Sequence, residues 1–364
     1  MAIIAHNHLQ FIVEIALLIY MAAIFILNLV PVSLSGVLLV SLIFNVALVI
    51  LFGIDASFLF LNFGQNEFSH PLGAIAVLTI ITSLSALTLM KNAGIKVSKL
   101  KFVIYILLLG ITIFGGLVHR SFLILWFIGL FSGFFIMSKS FRGKIKITFK
   151  RILLSVGTIF VGFGILELLS NILNMPVLSP LLRISRIETN AASALKLVIN
   201  NTTFFGHIAE TSYWGVSGLG FADGYISLPI SFVTNLGLPF PVFYGVLVNQ
   251  KDVLDYMLPG IFSWAYDFGY FTLIIILFWF IIIMIFGFRI LAIYRKQREM
   301  NIQSNLGKEA LLTGSLAAFI AQCWSGLFIM SRNMNGLALV TLIVLSAMIF
   351  AHTVSIEKEK IKGL

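Results

Sequence analysis

The run "PGIFSWAYDFGYFTLIIILFWF", from Pro259 to Phe280, is an apolar stretch that is long enough to cross a lipid bilayer. A membrane-spanning helix needs about 20 predominantly apolar residues. One acid, Asp267, lies inside the run, although an ionised carboxylate costs about 2.5 to 3.5 kcal/mol in the middle of a spanning helix. The run therefore predicts a transmembrane helix, and Asp267 becomes a candidate functional residue whose charge needs a partner.

The composition of the whole chain indicates the same class of protein. Its 364 residues are 60% hydrophobic and 10% charged, whereas soluble domains are about half apolar and a quarter charged. The net charge of +10 is explained by the membrane topology described below, so we expect no nucleic-acid partner. The single cysteine, Cys323, excludes an intramolecular disulfide and a metal site built from several cysteines. These features predict an all-α polytopic membrane protein.

Nine segments have the length and hydropathy of membrane spans. They lie near residues 11–30, 34–53, 71–90, 102–118, 122–138, 152–173, 261–287, 309–330 and 335–352. The apolar segment Ile226–Val248 is a further candidate, so the expected number is about nine to eleven. Pro229, Pro239 and Pro241 interrupt that segment, and each proline frees a carbonyl that hydrocarbon cannot satisfy. We therefore interpret it as re-entrant or interfacial helices that cover a cavity.

The placement of lysine and arginine predicts the orientation. Most of the 24 basic residues lie in three connecting segments and the C-terminal tail: Lys91–Lys101, Lys139–Arg151, Arg289–Lys308 and 353–364. The positive-inside rule places these segments in the cytoplasm, and the N-terminus and residues 174–258 outside. The first apolar run follows no basic residue and is expected to remain as a span. The chain thus divides into N-terminal transmembrane helices (1–173), an extracytoplasmic loop (174–258), and C-terminal transmembrane helices with a basic cytoplasmic tail (259–364).

The external loop is far longer than the usual connection in a helical protein, so we expect it to carry function. It opens with "PLLRISRIETNAASALKLVI", in which apolar residues recur at helical spacing, as in a helix that lies in the membrane interface. Arg183 and Arg186 stand three residues apart and share a face of that helix. Two guanidinium groups in this position can clamp one pyrophosphate, or they can extend to phospholipid headgroups instead.

Two motifs in and after the external loop resemble a known family. They are "GYISLPISFVTNLG", Gly224–Gly237, and "GIFSWAYDFGYF", Gly260–Phe271. Oligosaccharide repeat-unit polymerases, the Wzy or O-antigen polymerase group, typically have a Tyr-x-x-x-Pro-Ile segment in the external loop. A Tyr-x-Asp-Phe-Gly element then follows where the next helix enters the membrane, and in this chain Tyr266 directly precedes Asp267 in the corresponding segment. The likeness covers residues 224–271, and the rest of the chain is similar only in its hydropathy and its one large external loop.

The resemblance implies a GT-C-like membrane glycosyltransferase of the bacterial cytoplasmic membrane, with its active site on the extracytoplasmic side. Its substrates would be undecaprenyl-pyrophosphate-linked oligosaccharides, which it joins into a surface polysaccharide, O-antigen or capsule. The expected partners are these lipid-linked glycans, the lipid bilayer and a chain-length regulator. No cofactor is expected, and no metal, because the external loop has no Asp-x-Asp pair.

The chemistry of such a transfer needs groups that bind the leaving anion, accept a proton and hold the glycans. The candidates for binding pyrophosphate are Arg183, Arg186, Arg120 and Arg332. The candidates for the catalytic base are His207, Glu210, Asp223 and Asp267. The candidates for stacking on sugars are Tyr225, Tyr213, Trp214 and Tyr266.

Each of these roles has a structural alternative. Arg120 and Arg332 are also placed to anchor the ends of spans, and tyrosine and tryptophan are enriched at this depth in any membrane protein. For Asp267 we favour an ion pair with an external arginine that braces the cavity over a role as the base.

Three other functions compete with the polymerase. They are a flippase or transporter of lipid-linked oligosaccharides, an O-antigen ligase or peptidoglycan polymerase of the SEDS type, and a membrane acyltransferase. A transporter usually has internal repeats and charged residues near the midplane, whereas the unusual charges here lie toward the outer face. An acyltransferase would need a prominent buried histidine, and His119, His207 and His352 form no obvious site in the sequence.

Overall fold

The computed structural model describes residues 16–27, 32–62, 72–118, 120–138, 260–300, 305–328 and 336–362, together with residues 164, 167, 168, 171, 172, 203 and 204. Within these ranges the regular structure is entirely helical. We number the helices in chain order: α1 Ala16–Leu27, α2 Leu34–Asn62, α3 Gly73–Asn92, α4 Ser98–Val118, α5 Arg120–Met137, α6 Gly260–Glu299, α7 Leu306–Phe328 and α8 Gly336–Lys362.

The helices agree with the spans predicted from hydropathy. Each of α1 to α8 falls on one of the predicted segments, and α2, α3, α4, α6 and α7 contain stretches that are long and apolar enough to cross a membrane. Helices α1, α5 and α8 contain shorter apolar stretches. The prediction of an all-α multi-pass membrane protein is confirmed. The predicted span 152–173 lies almost wholly outside the described residues, and the predicted re-entrant segment 226–248 lies wholly outside them.

Three helices continue beyond their predicted ends. Helix α6 ends at Glu299, beyond its predicted end at residue 287, and its continuous part from residue 270 onward is about 45 Å long, which exceeds the hydrocarbon thickness of about 30 Å. Helix α8 also extends past its apolar run into polar sequence, and α2 continues to Asn62, beyond its predicted end at residue 53, through sequence that is still mostly apolar. The connection that we expected at 289–308 is therefore mostly helix. Hydropathy detects only the part of a helix that contacts hydrocarbon, and neither glycine nor proline interrupts α6 between Arg289 and Glu299.

The least apolar helices lie at the centre of the bundle. In both α3 and α7, 78% of the spanning window is buried, whereas in α2, α4 and α6 the buried share is between 22% and 28%. Helix α7 packs against α2, α3, α5, α6 and α8. Helix association in a membrane depends on close packing and interhelical hydrogen bonds, because lipid tails are as apolar as leucine. Helices rich in alanine, glycine, serine and threonine are therefore placed inside, and leucine and isoleucine face the lipid.

Helices α3 and α7 approach each other most tightly at Gly314. A methyl group in place of its hydrogen would overlap the hydroxyl of Thr82 and come within 2.6 Å of the carbonyl oxygen of Leu78. The contact on the α3 side therefore includes backbone, which cannot move away as a flexible side chain can. Glycine at this position permits the central pair of helices to pack.

We expect Gly314→Ala to lower the free energy of unfolding by about 1 to 3 kcal/mol, because the added methyl group overpacks this contact. The matched control is Gly53→Ala on α2, where the nearest atoms, on the Phe114 ring, would be 3.9 Å from the new carbon. The control should lose no stability. Reversible unfolding in mixed micelles, followed by circular dichroism, measures both. Equal stability of the two variants would mean that α3 and α7 are not packed this closely.

A buried hydrogen-bond network joins α2 to α3. The side-chain amide of Asn45 donates to the hydroxyl of Ser83 at 3.0 Å, and the hydroxyl of Thr79 donates to the amide oxygen of Asn45 at 2.7 Å. All three side chains are buried. Polar groups that satisfy one another across a helix interface fix the register of the two helices.

Candidate functional site

The structure places few of the predicted site residues. Asp267 and Tyr266 lie on the first part of α6, and Arg120 is the first residue of α5, but only the backbone of these three is described. The remaining candidates lie outside the described residues: His207, Glu210, Asp223, Arg183, Arg186, Arg332, Tyr225, Tyr213 and Trp214. Their predicted meeting in one cavity stays a prediction.

Helix α6 is interrupted at Gly269, the last residue of the Asp-Phe-Gly element. Gly269 is buried and has φ 82° and ψ 166°, far from the helical values near −63° and −42°. This backbone region is essentially restricted to glycine, because a Cβ would clash with the main chain. The glycine of the motif therefore has a physical reason: it allows a sharp change of direction at the point where the helix would otherwise continue straight.

The interruption leaves backbone amides at the start of the next helical turn without intrahelical partners. Two residues of the loop predicted to be external accept hydrogen bonds from these amides. The amide of Tyr270 donates to the carbonyl oxygen of Thr203 at 3.3 Å, and the amide of Phe271 donates to that of Phe204 at 3.4 Å. The rings of Phe204 and Phe271 pack with centroids 5.6 Å apart. A helix that starts anew has four amides without intrahelical partners. Here two of them anchor the loop predicted to be external onto the head of the membrane span.

The interruption at Gly269 changes the predicted position of Asp267 within the membrane span. The sequence predicted an acid inside a continuous span, whereas the structure has a short helical segment from residue 260 to 268, about 13 Å long, and then the interruption. A segment of that length cannot cross the hydrocarbon core of about 30 Å. Asp267 thus lies two residues before the interruption, and the long uninterrupted helix begins after it.

We expect Gly269→Ala to loosen this junction, because a residue with a Cβ costs about 1 to 3 kcal/mol in the backbone region that Gly269 occupies. Hydrogen exchange of the Tyr270 and Phe271 amides should become about tenfold faster. The matched control is Gly94→Ala, since Gly94 also has a positive φ, of 81°, but ends α3 with open space around it. The control should leave exchange at Tyr270 and Phe271 unchanged. Unchanged exchange in Gly269→Ala would contradict the described backbone.

A second polar cluster joins the ends of α5, α6 and α7. Glu309, in the first turn of α7, is only 4% exposed. Its Oε1 lies 2.7 Å from Nη1 of Arg298 and 3.7 Å from Nε of Arg295. Arg295 also donates to the carbonyl oxygen of Ile136, one residue before the end of α5. The arginines of α6 therefore neutralise a buried acid and cap a helix C-terminus.

The position of this cluster agrees with the predicted orientation. The charge distribution places the end of α5, the end of α6 and the start of α7 on the cytoplasmic side. One arginine that contacts both Ile136 and Glu309 requires those three ends to lie together. The cluster is thus at the opposite end of α6 from Asp267 and is structural in character.

A buried histidine lies near the same end of the bundle. His352 is 0% exposed, and its Nδ1 is 3.0 Å from the hydroxyl of Tyr294. His352 is therefore buried, as the acyltransferase alternative requires, but its ring is fully enclosed and hydrogen-bonded to a tyrosine. Among the described residues, no three of His, Cys, Asp and Glu are grouped so that they could hold a metal ion.

Sequence reasoning missed three elements of this arrangement. The motif analysis does not predict the interruption at Gly269, although an isolated glycine within a helical pattern is itself a signal of a special backbone position. Glu309 follows the basic segment Arg289–Lys308 and lies in the first turn of a span. An acid at the start of a span, next to a basic segment, indicates that it pairs with an arginine of that segment. The docking of Thr203 and Phe204 has no local signal, because it depends on contacts between residues more than 60 positions apart.

Comparison of the chain with family models, curated proteins and solved structures returned no match.

Proposed function

We propose that this protein polymerises undecaprenyl-pyrophosphate-linked oligosaccharide repeat units at the outer face of the bacterial cytoplasmic membrane. The observation that carries the proposal is the interruption of α6 at Gly269, two residues after Asp267, where Thr203 and Phe204 of the loop predicted to be external accept backbone hydrogen bonds. The resemblance of residues 224–237 and 260–271 to the repeat-unit polymerases supports the same function. The architecture of the enzyme would be GT-C-like.

The proposed reaction transfers a glycan from one lipid carrier to a second repeat unit. An acceptor hydroxyl attacks the anomeric carbon of the donor, the bond from that carbon to the pyrophosphate oxygen breaks, and undecaprenyl pyrophosphate leaves. A base takes the proton of the hydroxyl, and the candidates are His207, Glu210, Asp223 and Asp267. Cations must stabilise the leaving anion, for which we propose Arg183 and Arg186, with Arg120 and Arg332 as further candidates.

The geometry at Gly269 supports this chemistry in a specific way. A glycosyl transfer between two lipid-linked substrates needs a polar site that is held rigidly at the membrane surface. The interruption leaves Asp267 outside the long continuous helix, where an arginine of the external loop can reach it. In our proposal that ion pair braces the site, and the backbone hydrogen bonds at Thr203 and Phe204 fix the loop that carries the arginines.

The alternative functions differ in what they do with the same substrate. A flippase or transporter would move the lipid-linked oligosaccharide across the membrane and leave its chain length unchanged. A ligase-type glycosyltransferase would move the glycan to a different acceptor and form no longer chain. Asp267 and the interruption at Gly269 lie within the first ten residues of α6, which favours an enzyme, because transporters bind their substrates near the midplane.

The direct test is to reconstitute the purified protein in liposomes with lipid-linked repeat units and to separate the products by size. The proposal predicts a ladder of products that differ by one repeat unit, with release of undecaprenyl pyrophosphate. Movement of the substrate between leaflets without chain growth would replace the proposal with the transporter. A single transfer to an added acceptor, with no ladder, would replace it with the ligase.

A further inference from the structure

An apolar groove lies between α2 and α4 on the lipid-facing side of the bundle. Its volume is about 260 Å³. The lining residues are Leu42, Ile43 and Val46 of α2 with Val103 and Leu107 of α4. This volume is below the range of about 300 to 1,000 Å³ that encloses a whole small molecule. The groove therefore suits one section of a chain-like apolar molecule.

The groove lies at the depth of the inner leaflet. Both α2 and α4 begin on the cytoplasmic side in the predicted orientation. Val103 and Leu107 are about 7 to 14 Å along the axis from the start of α4, and Leu42 and Val46 are about 12 to 18 Å along α2. Half of the hydrocarbon core is about 15 Å thick. Val103, Leu107 and Leu42 lie within that distance and Val46 lies about 3 Å beyond it, so the groove is mostly beside acyl chains of the cytoplasmic leaflet.

Helices α2 and α4 close together at the outer end of the groove. A methyl group at Gly110 would come within 3.3 Å of both methyl groups of Val49. Gly110 and Val49 lie about one turn beyond Leu107 and Val46. The close packing ends the groove toward the outer leaflet, so a chain in it extends toward the cytoplasmic surface.

A lysine stands at the cytoplasmic end of the groove. Lys99 precedes Val103 and Leu107 at four-residue intervals, so the three share one stripe of α4. The side chain of Lys99 is exposed, and the segment Lys91–Lys101 carries four lysines and no acid. Lys101 is on the opposite side of α4, where its ammonium group lies 5.6 Å from the centre of the Tyr105 ring. The charge that complements the groove is therefore that of Lys99.

We propose that this groove binds one acyl chain of an anionic phospholipid of the inner leaflet, with the lipid phosphate on Lys99. The apolar lining selects the chain, and the lysine selects an anionic headgroup over a zwitterionic one, because a basic residue at the membrane surface attracts anionic lipid. The site is on the opposite side of the membrane from the proposed glycan chemistry, and it stands whether or not the protein is a polymerase.

The test measures lipid binding by native mass spectrometry, with phosphatidylglycerol and phosphatidylcholine that carry the same acyl chains. The unaltered protein should retain phosphatidylglycerol preferentially. Lys99→Gln should weaken its binding about fivefold, and the matched control Lys101→Gln should change it less than twofold. Both lysines are at the surface, so both variants are expected to fold.

A second pair of variants tests the binding of the acyl chain in the groove. Val46→Phe fills the groove and should weaken binding of both lipids, whereas Ile106→Phe, on exposed surface of α4 outside the groove lining, should not. Equal losses in Lys99→Gln and Lys101→Gln would overturn the site in favour of a general surface charge. Equal binding of the two lipids by the unaltered protein would also overturn it. The lysine variants decide the question even if Val46→Phe does not fold.

Discussion

Replacing Arg295 and Arg298 together with alanine is expected to lower the free energy of unfolding by about 3 to 5 kcal/mol. The reason is that Glu309 is 4% exposed and depends on these two cations. Removing both arginines leaves the buried carboxylate of Glu309 without these two cations. An uncompensated buried charge destabilises a protein more than an apolar residue at the same position would. The loss also includes the hydrogen bond from Arg295 to the Ile136 carbonyl, worth about 1 kcal/mol. Unfolding in mixed micelles, followed by circular dichroism, measures the change.

Two further variants isolate the buried carboxylate. Arg289→Ala removes an exposed arginine from the same helix and should change stability by no more than about 0.5 kcal/mol. Adding Glu309→Gln to the double arginine variant should restore part of the lost stability, because the uncompensated charge is then gone. No restoration by Glu309→Gln would show that the arginines stabilise the bundle by packing instead.

Arg183→Ala and Arg186→Ala are each expected to reduce polymer formation by a factor of 100 to 1,000, which corresponds to about 2.7 to 4 kcal/mol of transition-state stabilisation. On the predicted interfacial helix the two arginines share a face, and a pyrophosphate that gains charge as it leaves is bound more strongly in the transition state than in the substrate. Lysine at either position keeps the charge but not the paired donors of the guanidinium group, so Arg183→Lys should recover only part of the rate. The measurement is the rate at which reconstituted protein forms the product ladder.

Arg289→Ala also serves as the control for this experiment, because it removes an arginine from the side predicted to be cytoplasmic and should retain the full rate. Each variant must be recovered from the membrane in normal amounts, so that loss of rate is not loss of protein. Activity at the level of the unaltered protein in Arg183→Ala or Arg186→Ala would reassign that residue to contact with lipid headgroups.

The positions of the lipid-facing helices could be predicted closely, because lipid places the same requirement on every span. Each span must satisfy its own backbone hydrogen bonds and present about 20 apolar residues, whatever its neighbours are. The apolar parts of α2, α4 and α6 therefore appear in the sequence almost where they lie in the structure. Their polar extensions were missed, since a helix such as α6 continues past the hydrocarbon until something interrupts it.

The site was harder to predict because its parts come from distant segments. The motif around Asp267 contains the glycine at which α6 is interrupted, but the sequence does not indicate that Thr203 and Phe204 dock after it. The partners of Glu309 are likewise set by how α5, α6 and α7 meet.

Local composition by itself determined that the described part of this chain consists of apolar helices of a multi-pass membrane protein, and it predicts which way the basic segments face. These predictions depend on the free energy of transferring individual residues from water to lipid. That free energy is set by residue type, so it can be estimated from the sequence before the chain folds. Only the tertiary structure decided that α3 and α7 form the centre, that Gly269 interrupts α6, and that Glu309 is held by two arginines. Those features depend on contacts between segments, and their free energies exist only once the helices are packed.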